Sequence, residues 1–545
     1  MFKIIVLFAL VIASSYCKVI VKEESIDDNN VINDNTKPKI YIELPTYKPP
    51  KKEVNTESTN EEVKTVLDEN VTKATLSKCD KANDLDGELD NISDECQPEV
   101  NDPALILTPY IEDGKIEEAR EASKVDPKLF LGVESYSGFF TVNKTYDSNM
   151  FFWYFPVENK PVNETPWIIW LQGGPGITSL TGLFDEIGPF KVTHFQELRR
   201  NRYSWIKNHS LLFIDNPVGT GYSFTNDFNG FSRDMAAYSK NLYSTVKQFL
   251  EVFSELKTAP LYIAGESYAG KYVPALGVQL HRHKKLSEID VNLQGFMIGN
   301  ALVDPAMIKN VNQPFLNFGL VSKEQVESIE PLIKSFQADI AAHRSVEAKE
   351  KWMQLVSILL LLSHQKHGYN FLKDDLGVGS FIGFINSPEV RKAMHVGSIK
   401  FSFVNVTANV EMGPDFLSSS QELFEELLDS YRVLSYCGQL DQLLSCMFSA
   451  ENHRTWQWKD REEFIQATRR PYMFRNRLAG YIKSGGNLTE VVIRGAGHMV
   501  PMDEPLSLQR LVTNWIQDIP VPIHSSLKED LMLQQIVNNY TLLYF

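Results

Sequence analysis

Hydrophobic and polar positions divide this chain into stretches of different kinds. From residue 18 to about residue 100, large apolar side chains are sparse and no helical or strand period is sustained. Asp, Glu, Asn, Lys and Thr dominate there, with Pro45, Pro49 and Pro50 close together. Such a stretch cannot bury enough apolar surface to offset the entropy lost on ordering it. An acidic disordered extension or a cleaved propeptide is expected over 18–100. Ahead of it, Lys3, an apolar run from Ile4 to Ala13 and the small Ser14 and Ser15 read as a signal peptide over 1–17, too short to span a bilayer. Beyond Pro103 the pattern changes. Ser137–Val142 and Met150–Pro156 predict two strands joined near Asp147–Asn149. Trp167–Leu171, Leu211–Asp215, Leu261–Ala264, Phe296–Ile298, Arg432–Tyr436 and Val491–Arg494 predict six more. Met235–Phe253 has helical spacing, and Pro505–Ile516 places Leu508, Leu511, Val512 and Trp515 on one helical face. Short apolar strands alternating with helices imply a mostly parallel sheet covered on both faces. Asp304 to Asn386 breaks that alternation, being largely helical in pattern between Ser322 and His364, and is expected to be a cap over the site. Ile358–Leu362 reads as a buried helix face. Asn386-Ser387-Pro388-Glu389 then restarts a helix. The expected division is 101–303 and 387–545 for an α/β core and 304–386 for a helical insertion.

Composition narrows the class. An apolar content of 43% over 545 residues suits a large buried core. A net charge of −15 argues against a nucleic-acid partner. Eight Asn-x-Ser/Thr sequons occur, at Asn70, Asn91, Asn143, Asn163, Asn208, Asn405, Asn487 and Asn539. Beside a signal peptide they point to glycosylation and to a secreted, lysosomal or other secretory-pathway compartment. Cys17 leaves with the signal peptide or lies at its edge. Cys79, Cys96, Cys437 and Cys446 remain, and four cysteines allow three connectivities. Proximity favours Cys79–Cys96 and Cys437–Cys446, which an oxidising compartment permits. No cofactor, metal site or further membrane span is expected, and the oligomeric state is open.

The chemistry-bearing pattern is Gly265-Glu266-Ser267-Tyr268-Ala269-Gly270, a widened Gly-x-Ser-x-Gly between an apolar strand and a helix-forming run. Strand, sharp turn, helix is the context of a nucleophile elbow. The helix start aims free N–H groups and its positive dipole end at the serine. An α/β-hydrolase fold orders its catalytic residues Ser, acid, His along the chain. Two late strand ends carry candidates on glycine-bearing loops: Cys437-Gly438-Gln439-Leu440-Asp441 and Gly495-Ala496-Gly497-His498. Ser267 is therefore the expected nucleophile, His498 the base and Asp441 its orienting acid. Asp415 and Asp429 lie nearby, and the strand-end position selects Asp441. Gln172-Gly173-Gly174-Pro175-Gly176 follows an early strand. It is expected to supply one oxyanion donor through Gly174, with the Tyr268 N–H as the second.

These residues resemble the serine carboxypeptidases, most closely a vitellogenic carboxypeptidase-like branch. The resemblance rests on Leu107–Glu112, Trp170–Gly176, Gly182–Phe184, Glu186–Pro189, Asp215–Gly221, Gly265–Gly270, Tyr436–Asp441 and Gly497–Pro501, and spans about residues 105–520. It implies removal of C-terminal amino acids from peptides. It also implies that Glu186, Glu266, Gln172 and the Gly173 backbone bind the substrate's terminal carboxylate. Protonated glutamic acids can donate hydrogen bonds to that carboxylate, so an acidic optimum is expected. The chain departs from the common pattern at Ile177 and Thr178, where small residues are usual, and at Cys437. A non-catalytic binding or storage protein on this fold, or an acyltransferase or esterase with the same three residues, are the alternative readings.

Overall fold

A computed structural model describes residues 102–520 of the chain. The expected signal peptide and extension, Cys79, Cys96, Asn70, Asn91 and Asn539 lie outside these residues. The strands are, in order, β1 Tyr136–Asn143, β2 Ser148–Phe155, β3 Trp167–Leu171, β4 Phe190–Val192, β5 Leu198–Arg200, β6 Ser210–Ile214, β7 Phe224–Thr225, β8 Pro260–Glu266, β9 Asn292–Gly299, β10 Arg432–Gly438, β11 Arg470–Phe474, β12 Arg477–Gly485 and β13 Leu488–Ile493. Eleven of them form one sheet in the order β1-β2-β6-β3-β8-β9-β10-β13-β12-β11, with β7 paired to β2. The middle, from β6 to β13, is parallel. Both flanks are antiparallel.

Side chains alternate across β2 and show how the sheet is covered. Trp153 and Phe155 face Phe130, Phe184 and Phe190. Phe152 and Tyr154 point to the other face, onto Phe249 of helix Met235–Val252. All eight residues of β2 and all five of β3 are buried, as expected for strands packed on both faces. Helix Met235–Val252 is capped by Asp234, whose side chain accepts the Ala237 N–H at 2.8 Å. Helix Ala269–Lys285 packs beside it through Tyr272, whose ring centroid is 4.8 Å from that of Tyr238. Helix Pro505–Ile516 has the bounds the sequence pattern predicts, and its Trp515 packs against Tyr262 of β8.

The region between β9 and β10 holds helices Asn312–Asn317, Lys323–Ser328, Glu330–Ala341 and Ser345–Leu362. From 363 to 381 it runs without a helix. The apolar run 358–362 is only partly a buried face: Leu359 and Leu360 are buried, while Leu361 is 71% exposed. The helix expected after Ser387 runs from Pro388 to Ala393. Among the described residues, no helix is long and apolar enough to cross a membrane.

Candidate active site

The C-terminal ends of four adjacent parallel strands carry the candidate residues. β8 ends at Glu266, and Ser267 follows with φ +61°, in the left-handed region. That backbone is strained for a residue with a side chain and is typical of a nucleophile on a sharp strand-to-helix turn. The Ser267 N–H donates to Gly299 O at 2.9 Å, and the Leu302 N–H donates to Ser267 O at 2.8 Å. Crowding explains the small neighbours. A Cβ on Gly265 would lie 2.4 Å from Leu171 O, and one on Gly270 would lie 2.7 Å from Leu302 O. Ser267 is partly exposed, whereas Leu261–Glu266 and Tyr268–Gly270 are buried.

Two and three strands further on in the sheet, β10 leads to Asp441 and β13 to His498. Nδ1 of His498 lies 2.7 Å from Asp441 Oδ2. Asp441 is fully buried and His498 is 3% exposed. Asp441 Oδ1 accepts the N–H groups of Leu443 and Leu444 at 2.8 and 3.2 Å. Its Oδ2 also accepts Nδ2 of Asn300 at 2.6 Å. Asp415 and Asp429 are engaged elsewhere: Asp415 accepts the Tyr268 hydroxyl at 2.7 Å, and Asp429 accepts the Lys459 N–H at 3.1 Å. The two loops meet because both carry glycine. A Cβ on Gly438 would lie 1.8 Å from Gly497 O. A disulfide joins Cys437 to Cys446 across this turn.

Asn300 and Tyr369 were not singled out by the sequence. Asn300 follows β9 at φ +39° and donates to Asp441, while its Oδ1 accepts the Gly438 N–H at 3.0 Å. The loop after β9 therefore touches both Ser267 and Asp441. The available signal was a Gly-Asn pair at a strand end. Tyr369 O accepts the His498 N–H at 2.6 Å, and its ring lies 4.8 Å from the imidazole. The non-helical part of the insertion thus rests on the histidine loop.

Gln172-Gly173-Gly174-Pro175-Gly176 lies against the elbow. A Cβ on Gly173 would be 2.6 Å from Ser267 Cβ and 2.7 Å from Tyr268 N. Gly174 sits at φ +114° and Gly176 at +89°, so both need glycine. Among the described residues, neither the Gly174 nor the Tyr268 N–H donates to a backbone acceptor. Ile177 and Thr178 have definite places. Ile177 bridges to Val404, and the Thr178 hydroxyl donates to Asp215 Oδ1 at 2.7 Å. Asp215 also accepts the Ser179 N–H at 2.8 Å and the Tyr222 N–H at 2.9 Å. It thereby pins the glycine loop to the end of β6.

Gln172, Glu186 and Glu266 are brought together and buried. Trp170 Nε1 donates to Gln172 Oε1 at 2.8 Å, which leaves the amide nitrogen facing the acids. Gln172 Nε2 donates to Glu266 Oε1 at 2.7 Å and, at a longer 3.4 Å, to Glu186 Oε1. Oε2 of each glutamic acid has no hydrogen-bond partner among the described residues. Glu186 closes the single turn Gly182–Glu186, whose Gly182 abuts Trp170, and Asn201 Nδ2 holds that turn by donating to Glu186 O at 3.0 Å. Burial raises the pKa of both carboxyls well above the usual range; Glu186 raises that of Glu266 further, whereas the Glu266 side chain draws that of Glu186 part of the way back down. The neighbouring Asp185 is pushed up to about 7 by burial.

Of the described sequons, Asn163 is exposed, while Asn143, Asn208, Asn405 and Asn487 are partly exposed. Asn405 Oδ1 caps helix Val406–Glu411, and Asn487 Nδ2 donates to Leu428 O at 2.7 Å. Among the described residues, no group of three or more His, Cys, Asp or Glu side chains is placed to hold a metal ion.

Comparison with known proteins agrees with this architecture. A family model described as serine carboxypeptidase matches residues 127–518. Probable serine carboxypeptidase CPVL of Homo sapiens is 37% identical over 438 residues, covering 76% of this chain and 89% of the relative. Venom serine carboxypeptidase of Apis mellifera is 37% identical over 422 residues, with 75% and 90% covered. Vitellogenic carboxypeptidase of Aedes aegypti is 36% identical over 439 residues, with 77% and 91% covered. Among solved structures, the prohormone-processing carboxypeptidase KEX1(delta)P of Saccharomyces cerevisiae superposes with a TM-score of 0.65 at 25% identity, covering 73% of this chain and 96% of that one. The α/β-hydrolase fold and the resemblance to the vitellogenic branch are both borne out. The chain belongs to the serine carboxypeptidase family, whose members are exopeptidase hydrolases.

Proposed function

We propose that this enzyme releases C-terminal amino acids from peptides at acidic pH through an acyl-enzyme on Ser267. His498 Nε2 takes the serine proton as Oγ attacks the last peptide carbonyl. Asp441, bonded to Nδ1, holds the imidazole in the required tautomer and stabilises the imidazolium. The N–H groups of Gly174 and Tyr268 receive the developing oxyanion. Collapse breaks the C–N bond, and His498 returns the proton to the departing amino group. Water, deprotonated by the same imidazole, then attacks the acyl ester, and the shortened peptide leaves with Ser267 restored.

The observation that carries the reading is the pair of buried acids beside the nucleophile. Oε1 of Glu266 and, more weakly, of Glu186 is taken by Gln172, and each Oε2 is unpartnered among the described residues. In the protonated pair those outer oxygens carry the hydrogens, and both can donate to a carboxylate. The Gly173 N–H adds a further donor. Only a chain end presents a carboxylate on the residue directly after the attacked peptide bond, as its α-carboxylate, so the arrangement favours exopeptidase action. The sequons and N-terminal pattern favour a secreted or lysosomal setting, where the pH suits protonated acids.

Ser267→Ala is expected to abolish amino-acid release from a peptide mixture at pH 4–6, read by mass spectrometry. A serine-directed reagent is expected to label the wild type alone. Normal release by the variant would overturn the mechanism. Failure of the wild type to react would favour a binding or storage role, and turnover of ester donors in preference to peptide acids would favour an acyltransferase or esterase.

A further inference from the structure

The glycine loop is gripped from behind by two buried polar side chains that lead into the cap. Asn409 Nδ2 donates to Pro175 O at 2.9 Å. The backbone oxygen of Asn409 in turn accepts Nζ of Lys349, which comes from cap helix Ser345–Leu362. Asn409 and Lys349 are 7% and 8% exposed. Among the described residues, no carboxylate lies within ion-pair distance of Lys349. Burial, with the nearby Lys271 ammonium, pushes its pKa down to about 8. An ammonium that surrenders its hydration for one carbonyl is a costly way to fill a helix–helix contact, and leucine or methionine would fill the space at less cost. What the lysine supplies is a directed bond.

The bonded partner is itself fixed to the loop. The Asn405 N–H donates to Gly176 O at 2.9 Å, and the Thr178 N–H donates to Phe403 O at 3.2 Å. A Cβ on Gly176 would lie 2.8 Å from Asn405 O, so helix Val406–Glu411 packs directly on the loop. The opposite side of the loop touches Ser267 and Tyr268 through Gly173. The loop is clamped between the nucleophile and the segment that Lys349 braces.

We infer that Asn409, held by Lys349, is a positioning residue that sets where the Gly174 N–H points, so that the cap helix governs the acylation rate through this two-residue brace. The inference rests on the assignment of Gly174 to the oxyanion hole. A small displacement of such a donor is enough to matter, since misplacement by about 1 Å can cost about a hundredfold in rate.

Asn409→Asp provides the test. A protonated aspartic acid can donate to Pro175 O, whereas an ionised one repels it. The charged groups around this site are the ammoniums of Lys349 and Lys271, Asp415 beside Lys271, Glu350 next to Lys349, and Glu411 on the helix of Asn409, which is paired with Arg233. The ratio of variant to wild-type kcat on a peptide acid, measured from pH 4 to 7.5, is expected to fall by about tenfold or more as pH rises, while the ratio of KM values stays within about twofold. A flat kcat ratio, or an effect confined to KM or to the melting temperature, overturns the inference. Should Asn409→Asp not fold, Lys349→Met carries the same split: a kcat lowered about threefold to tenfold at unchanged KM supports the brace, and an unchanged kcat overturns it. Ser267→Ala run alongside separates the two ideas. Activity in that variant defeats the mechanism, whereas an inactive Ser267→Ala with a flat Asn409→Asp ratio defeats the brace alone.

Discussion

At positions 186 and 266, two glutamic acids are buried side by side and share one amide, that of Gln172. Burial disfavours the ionised form of both, and the Glu186 charge disfavours that of Glu266 further, so protons stay on the pair well above the pH at which a surface glutamate loses its own. The sign for binding follows directly. Protonated acids donate to a substrate carboxylate, and ionised ones repel it. KM for a peptide acid is therefore expected to stay nearly level from pH 5 to pH 7 and to rise as pH passes about 8, where Glu186 loses its proton, with a flatter profile for Glu186→Gln, whose amide donates at every pH. Steady-state kinetics on matched substrates checks this, and a KM that falls as pH rises would contradict it. How legible these residues were varied with how local their context is. Ser267 sits in a six-residue pattern flanked by a strand and a helix, and was readable directly. Asp441 and His498 were readable as loop residues at strand ends. Glu186 was not, because nothing within its own stretch distinguishes it from a solvated acid; its partner is 80 residues away, and the family resemblance alone pointed to it. Asn300 was missed for the same reason: its partner, Asp441, is 141 residues downstream.

Among the elements, the strands of the parallel middle were readable because they are buried on both faces and appear as continuous apolar runs. Their ends shifted by a few residues, as for Leu261–Ala264, which extends to Pro260–Glu266. The hairpin β11–β12 was missed. It lies at the sheet edge, mixes Arg, Lys and Ser with apolar residues, and carries Pro471, which only an edge strand tolerates readily. The proximity pairing of Cys437 with Cys446 is borne out. This bridge ties the end of β10 to the start of helix Cys446–His453 and encloses the turn bearing Asp441. Closing so short a loop is worth roughly 2–3 kcal/mol on the chain-entropy view. The double variant Cys437→Ser/Cys446→Ser is accordingly expected to lose about that much stability in denaturant titration. Its kcat should also fall, because Asp441 would be less firmly held. A variant as stable as the wild type would show that the turn is held by its glycines and hydrogen bonds alone.

For the whole molecule, buried titratable groups set how stability varies with pH. Asp185 is pushed up to about 7 by burial, and Glu186 and Glu266 are raised as well. A carboxyl whose pKa is higher in the folded state binds more protons folded than unfolded, so its stabilising effect is lost as pH rises through its folded value. Buried histidines act in the opposite direction: burial lowers the pKa of His209 to about 3 and also lowers those of His367 and His395, so these groups destabilise the fold as pH falls below their ordinary 6.5. Between 6.5 and 7.5 the histidine contribution dies away as the unfolded imidazoles lose their protons, and the protons kept by the folded acids outweigh it and decide the slope. The urea midpoint is therefore expected to fall between pH 6.5 and pH 7.5, and a rise across that interval would refute the assignment. At this scale the sequence conveyed the α/β sheet, but not how the residues between β9 and β10 bear on the site. The helix-free stretch around Tyr369, which touches the histidine loop, has no periodic pattern to read. Because its carbonyl holds the His498 backbone, this stretch and the proposed proton carrier are one mechanical unit. A change that moves this stretch would then also retune the proposed general base, coupling any shift there to the speed of the reaction.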